Sequence, residues 1–308
     1  MVANTHNNTP EKTIGSAFPK AMLWGFSLLS ASLFSTHLAA ADGPTWRTPD
    51  PAQTVYLDTD AGGIVIELAP QLAPKTVEQF LRLVRDGFYD GQSFYRVIDG
   101  FVAQGGDGSD LNRELKQPTL PAEAELSAQA IQDKSQFVKV QSPDFYAHST
   151  GYLQGFPAAH DAEKKRYWPI HCPATVAMAR DDDPASSSTD FYIVIGQAPR
   201  YLDRNLNIFG RVIYGMDNAQ RIKRGPAASN GVFDDHSQAS QILKASVASD
   251  LPKDQRLAIQ IEDTTTPAFQ EKLESRRHRN HTFFHHKPPA VLDICQIPIA
   301  VKLDSPSQ

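Results

Sequence analysis

The chain has 308 residues, 41% hydrophobic and 21% charged, which is ordinary globular composition and enough length for one elaborated domain. Its formal net charge of −5 argues against a nucleic-acid binder held by phosphate contacts, and no internal repeat is visible.

Residues 1–41 read as an export signal. Lys12 and Lys20 give a basic start, Ala21 to Phe34 (AMLWGFSLLSASLF) an uncharged apolar stretch, and Leu38 to Asp42 (LAAAD) small residues for cleavage. The apolar stretch is short of the ~20 residues that a membrane span needs, and Ser35, Thr36 and His37 interrupt it. The alternative is an uncleaved anchor; with the signal removed, no stable membrane span is expected. An exported chain meets an oxidising compartment. Cys172 and Cys295 are then either a disulfide or two buried thiols, and their count and spacing exclude a CxxC redox motif or a zinc knuckle.

Residues 42–52 form a Pro-rich polar leader. Thr54 to Thr59 and Ile64 to Leu68 read as strands, with Gly62-Gly63 as the hairpin signal between them. In "APKTVEQFLRLVRDGF", Pro74 suits a first helical turn, Val77, Phe80, Leu81 and Val84 share one helical face, and Gly87 is placed to stop the helix. Phe94 to Asp107 (FYRVIDGFVAQGGD) reads as a hairpin turning at Asp99-Gly100. Residues 108–172 contain a polar, Pro-broken loop (LKQPTLPAEAEL) and an aromatic-rich stretch from Asp144 to Cys172 expected to be ordered. Strand patterns return at Thr175 to Ala179, Phe191 to Ile195, Ile208 onward and Arg256 to Asp263, with a short helix near Met216. A mainly β closed barrel fits this order, because closure removes exposed edges. The tail, 267–308, begins as a helix, turns basic and His-rich, and continues as the strand-like "AVLDICQIPIAVKL"; it is expected to pack back on the barrel.

Several chemistries are absent. No GxSxG elbow and no phosphate-cradling GxxxxGK occurs. His278, His281, His285 and His286 read as a solvated basic end, and Asp181-Asp182-Asp183 as a solvated loop, so no metal is expected. One residue stands out. Arg96 lies in the middle of an apolar strand, where a cation is costly unless something needs it.

The stretch around Arg96 resembles the signature of cyclophilin-type peptidyl-prolyl isomerases. The likeness continues through "GGIVIELAPQLAPKTVEQFLRLVRDGFYDG", "TVAMAR", "STDFYIVIG" and "YLDRNLNIFGRVIYGMD", covering Thr54 to Asp263 apart from the insertion at 108–172. The "AMAR" version, with the export signal, is most similar to bacterial periplasmic members. The resemblance implies a closed eight-stranded antiparallel barrel capped by two short helices, a site on the barrel's outer surface, and no cofactor. The chain is then expected to divide into the signal at 1–41, one isomerase domain at 42–266 carrying the insertion at about 108–172, and a C-terminal extension at 267–308 packed on the barrel. By position, Arg96 matches the catalytic arginine, Phe101 the floor of the proline pocket and Gln104 the glutamine on the substrate backbone. Val102, Ala179, Arg180, Asp190, Tyr192, Tyr201 and Leu206 match substrate-binding positions. Three of these depart from the usual pattern: Asp190 stands for a glutamine, Arg180 for an asparagine, and Tyr201 for the tryptophan that helps bind the family's cyclic-peptide inhibitor. The implied substrates are proline-containing peptides and unfolded exported proteins. A non-catalytic client-binding module or chaperone using the same groove is the alternative.

The hairpin geometry conflicts with part of this. A two-residue turn at Asp99-Gly100 sets Arg96 opposite Ala103 and on one face with Phe101, but sends Gln104 to the other face. The family arrangement needs a bulge or a different turn. The insertion is also placed to fold over the groove and restrict substrates.

Overall fold

The fold is that of a computed structural model describing residues 45–108, 117–131 and 137–304; the expected signal at 1–41 lies outside the described residues. In chain order the first strands are β1 (Trp46–Arg47), β2 (Thr54–Thr59), β3 (Gly62–Leu68), β4 (Ser93–Ile98) and β5 (Val102–Gly106). The insertion supplies β6 (Leu126–Ser127), β7 (Phe137–Gln141), β8 (Ser149–Leu153), β9 (Phe156–Asp161) and β10 (Arg166–Pro169). Then come β11 (Thr175–Met178), β12 (Phe191–Val194), β13 (Ile208–Tyr214), β14 (Ile242–Val247), β15 (Ile259–Glu262) and β16 (Val301–Leu303). The helices are α1 (Pro74–Arg85), α2 (Met216–Arg221) and α3 (Pro267–His278).

Eight antiparallel strands run in the order β14-β2-β3-β13-β11-β12-β5-β4. The two edge strands meet at a seam in which Phe94 N–H donates to Ser240 C=O at 2.8 Å and Ile242 N–H to Gln92 C=O at 2.7 Å. Gly91 N–H adds a third bond, to Ile242 C=O at 2.8 Å, but β14 and β4 remain the two ends of the strand order rather than ladder partners. The barrel is therefore nearly closed, not fully closed as the sequence suggested. Its interior is filled by the inward residues of each strand, among them Phe94, Val176, Phe191, Ile193 and Phe209, and is capped by Val77, Phe80, Leu83 and Val84 of α1. Leu83 rather than Leu81 completes the buried stripe of that helix. No local side chain caps α1; the Glu123 carboxylate accepts from Lys75 N–H at 2.9 Å and Thr76 N–H at 2.8 Å, serving the open donors of the first turn from the insertion.

Both hairpin turns differ from the sequence reading. Thr59 pairs with Gly62, so the first turn is Asp60-Ala61 rather than Gly62-Gly63. In the second, Ile98 pairs with Val102 and Arg96 with Gln104, so the loop is Asp99-Gly100-Phe101. Gly100 takes φ of 66°, which admits this longer turn at little steric cost.

The insertion forms a second sheet, ordered β6-β10-β9-β8-β7; residues 117–125, read from the sequence as loop, carry no strand or helix, and the loop reading gives way only at Leu126, in β6. Its successive residues face opposite ways. Leu153, Phe156, Ala158 and Tyr167 pack with Ala69 and Leu72 of the barrel chain. Tyr152, Ala159 and Trp168 pack instead with Phe269 and Leu273 of α3 and with Leu292, Ile294 and Ile297 of the tail. The tail thus rests largely on the insertion. Only its end adds β16 to β15 and β1, a three-stranded sheet whose Ile259 and Ile261 cover Val65 and Ile213 on the barrel's outside. Cys172, at the end of the insertion, is disulfide-bonded to Cys295 in the tail.

Candidate active site

The strands that fill the barrel also build a groove on its outer face. Along β12, Phe191 and Ile193 point inward while Tyr192 and Val194 point outward; along β11, Val176 and Met178 point inward and Ala177 outward. Val102, Ala177, Tyr192, Val194 and Ile208 form a small external apolar cluster, with Phe101, Ala179 and Leu206 packed against it. A hollow of about 360 Å³ opens above it, lined by Arg96, Phe101, Val102, Gln104, Ala179, Arg180, Tyr192, Leu202 and Leu206. None of the lining residues comes from the insertion, so among the described residues it does not fold over the groove.

The three-residue turn resolves the conflict over Gln104. Arg96 and Gln104 are cross-strand partners, and Arg96 Nη1 donates to Gln104 Oε1 at 3.0 Å. Gln104 Nε2 in turn donates to the Tyr95 hydroxyl. Burial, then the nearby Asp190 carboxylate, pushes the Tyr95 hydroxyl far above the ordinary phenol value, so it stays protonated and hydrogen-bonds Asp190. Burial likewise raises Asp190 above the usual carboxylate value, against the hydrogen bonds it accepts from Thr189, Gly108 N–H and Tyr95. Among the described residues Arg96 has no carboxylate partner. One of its five donors is held by a neutral amide.

Two expected residues lie elsewhere. Asp190 sits behind the groove, bracing Gln104 through Tyr95. Tyr201 is exposed at the rim, and the next residue, Leu202, lines the groove in its place. Positions in the motif were legible; the direction of each side chain in the 3-10 turn Arg200–Leu202 was not. Arg180 lines the groove with its guanidinium tied to the backbone carbonyls of Asn205 at 2.7 Å and Asp181 at 2.5 Å. Among the described residues, no helix is long and apolar enough to cross a membrane, and no three His, Cys, Asp or Glu side chains gather as a metal site.

The geometry agrees with comparisons to known proteins. The family described as "Cyclophilin type peptidyl-prolyl cis-trans isomerase/CLD" matches residues 54–247. A probable peptidyl-prolyl cis-trans isomerase of Brucella suis is 31% identical over 236 residues, spanning 73% of this chain and 96% of that protein. A Streptomyces antibioticus peptidyl-prolyl cis-trans isomerase is 33% identical over 177 residues, 55% of this chain and 82% of its own. The crystal structure of a cyclophilin from Hirschia baltica superposes with a TM-score of 0.65 at 28% identity, covering 84% of this chain and 93% of that one. With the family match, the length of the Brucella alignment and an outward groove around an arginine in agreement, the chain belongs to the cyclophilin-type peptidyl-prolyl cis-trans isomerases.

Proposed function

We propose that this isomerase acts on proline-containing peptides and unfolded exported proteins in the periplasm, with Arg96 as the residue that favours the twisted amide. The observation that carries the reading is Arg96 itself: a guanidinium held by Gln104 at the mouth of an apolar groove, with no carboxylate partner among the described residues. A planar X–Pro amide resists rotation by ~18–20 kcal/mol because of resonance. At the halfway point the prolyl nitrogen regains its lone pair and becomes a hydrogen-bond acceptor. A fixed guanidinium donates to it there and gains nothing comparable from the planar amide, so the interaction lowers the barrier rather than merely tightening binding. Such a charge-assisted bond contributes roughly 1.5–3 kcal/mol. The apolar walls supply a second term, because a twisted amide is less charge-separated than a planar one and loses less on leaving water. Phe101, Val102, Tyr192 and Leu206 form those walls, and Gln104, Ala179 and Arg180 flank the peptide. No covalent intermediate and no cofactor enters this chemistry.

A chymotrypsin-coupled assay on a short X–Pro peptide tests the assignment. Arg96→Ala should lower kcat/KM by about 10–150-fold, the equivalent of that one bond. No turnover by the wild type would favour a client-binding module instead, and equal turnover by the variant would take the catalytic role away from Arg96.

Export is supported by the basic-apolar-small order of residues 1–41 and by the Cys172–Cys295 bond, which suits an oxidising compartment. Mass spectrometry of the protein recovered from a periplasmic extract should find an N-terminus within Leu38–Asp42; an intact Met1 would overturn this placement.

A further inference from the structure

A second hollow, of about 690 Å³, lies where the insertion, the tail and the barrel meet. The geometry points to a second subsite there for the substrate polypeptide, taking a bulky apolar side chain from a segment flanking the isomerising proline. This rests on the isomerase reading of the groove.

The walls of the two hollows are linked through one short stretch of chain. Arg200 walls the second one and Leu202 walls the proline groove, and both belong to the 3-10 turn Arg200–Leu202. Gln197, also in the second wall, donates its N–H to Gly100 C=O at 3.2 Å, one residue before the groove's Phe101. A polypeptide seated on Phe101 has this surface within reach of one flank, so the proposed occupant is a further part of the substrate that the groove is proposed to take.

The lining says what kind of segment fits. Phe145 is 99% exposed, Tyr146 59% and Val291 53%, all on this one rim. Single exposed apolar residues need no explanation, but a group around a preformed hollow marks a binding surface. The rim is preformed because Asp144 Oδ1 accepts from Tyr146 N–H at 3.0 Å and from Arg200 Nη2 at 3.1 Å, and the Arg200 guanidinium lies 4.9 Å from the Tyr146 ring centre. The Cys172–Cys295 disulfide fixes the tail wall. Arg200 is neutralised by Asp144 and Asp203, so an apolar occupant meets no unpaired cation. Asp293 leaves a carboxylate on the rim, which disfavours an acidic segment.

The test compares an Ala–Pro tetrapeptide with longer peptides carrying phenylalanine about four residues before or after the proline, a reach of roughly 14 Å in an extended chain. Each is assayed with the wild type and with the Phe145→Ala/Tyr146→Ala variant. Phe145 packs on nothing and Arg200 keeps both carboxylates, so the variant should fold. The proposal expects one longer peptide to exceed the tetrapeptide in kcat/KM by about fivefold, the weight of one good anchor side chain, and the variant to lose that gain while turning over the tetrapeptide normally. No gain from either longer peptide, a gain that survives in the variant, or an equal loss on all substrates would overturn it. A wild type inert toward the tetrapeptide would instead refute the isomerase reading, and the subsite with it.

Discussion

His171 Nε2 lies 2.7 Å from the Tyr192 hydroxyl, directly behind the floor of the proline groove. The imidazole is wholly buried, and its Nδ1 lies 3.0 Å from Asp203 Oδ1, while Asp203 Oδ2 accepts from Arg200 Nε at 2.6 Å. Burial, then the Asp203 charge, pushes the Tyr192 hydroxyl far above the usual phenol value. It therefore stays protonated, hydrogen-bonded to the buried imidazole. The groove wall is thus bolted to a buried polar chain that ends at Asp144, in the insertion.

This chain predicts how Tyr192→Phe behaves. The ring remains to wall the groove, but His171 Nε2 loses its partner in a dry site, at a cost of ~1–3 kcal/mol. Urea denaturation should show that loss of stability while kcat/KM on a short peptide stays near wild type. Lost activity at unchanged stability would mean that the hydroxyl serves the reaction itself.

A second buried cluster joins the three sheets. Glu67 of β3 accepts from Arg211 of β13 at 2.9 Å and from Arg47 of β1 at 2.5 Å, and Arg211 also donates to Gly155 C=O at 2.8 Å, in the insertion. Burial alone would raise the Glu67 carboxyl, but the two guanidiniums together outweigh it and hold the group below its ordinary value. A depressed carboxyl contributes stability that is fully present above the unfolded value, about 4.3, and lost as pH falls through the folded value. Glu67→Gln leaves the largely buried Arg211 without its counter-charge, at a cost of ~3–5 kcal/mol. Denaturation measured against pH should show a large deficit at pH 7 that shrinks on acidification; a deficit independent of pH would assign the loss to packing.

The disulfide makes a prediction with its own control. Cys172 and Cys295 are 123 residues apart in sequence, so the bond restrains a long loop in the unfolded chain. Its loss should cost ~2–5 kcal/mol. Cys295→Ser should denature earlier than the wild type, and reductant should bring the wild type down to the variant while leaving the variant unmoved. Free thiols in the denatured, unreduced wild type would contradict the bond.

The barrel strands around the site were legible as short runs rich in β-branched and aromatic residues bounded by turn signals, as in Phe191 to Ile195 after a Pro-, Ser- and Asp-rich loop. The insertion's strands carry weaker runs, diluted by Ser149, Gly151, Pro157, Ala158 and Ala159. Tyr152 and Leu153 both face apolar layers, the tail on one side and the barrel on the other, so polar alternation is missing. β14 was missed as well; its register shift and its exposed Leu243 and Lys244 break the period of two. At the site, residue identity told more than direction. Whether Gln104 joins Arg96 depends on the backbone of Gly100, and whether Tyr201 or Leu202 faces the groove depends on a single 3-10 turn; neither is written in the order of apolar and polar residues.

That rim position bears on inhibition. Tyr201 stands where the family's tryptophan helps bind a cyclic-peptide inhibitor, and it projects into solvent beside the groove-lining Leu202. On the proposed reading a small proline peptide seats on Phe101 without touching the rim, whereas a large cyclic ligand would lie across it. Weak inhibition is therefore expected of the wild type. Tyr201→Trp supplies a broader apolar face and an indole N–H, and one added hydrogen bond of ~0.5–1.5 kcal/mol should tighten inhibition by up to about tenfold. Turnover of the short peptide should not change. An inhibitor titration of both proteins decides the matter: tight inhibition of the wild type would show that Tyr201 already does the tryptophan's work, and a variant that loses turnover would place the rim inside the reaction rather than beside it.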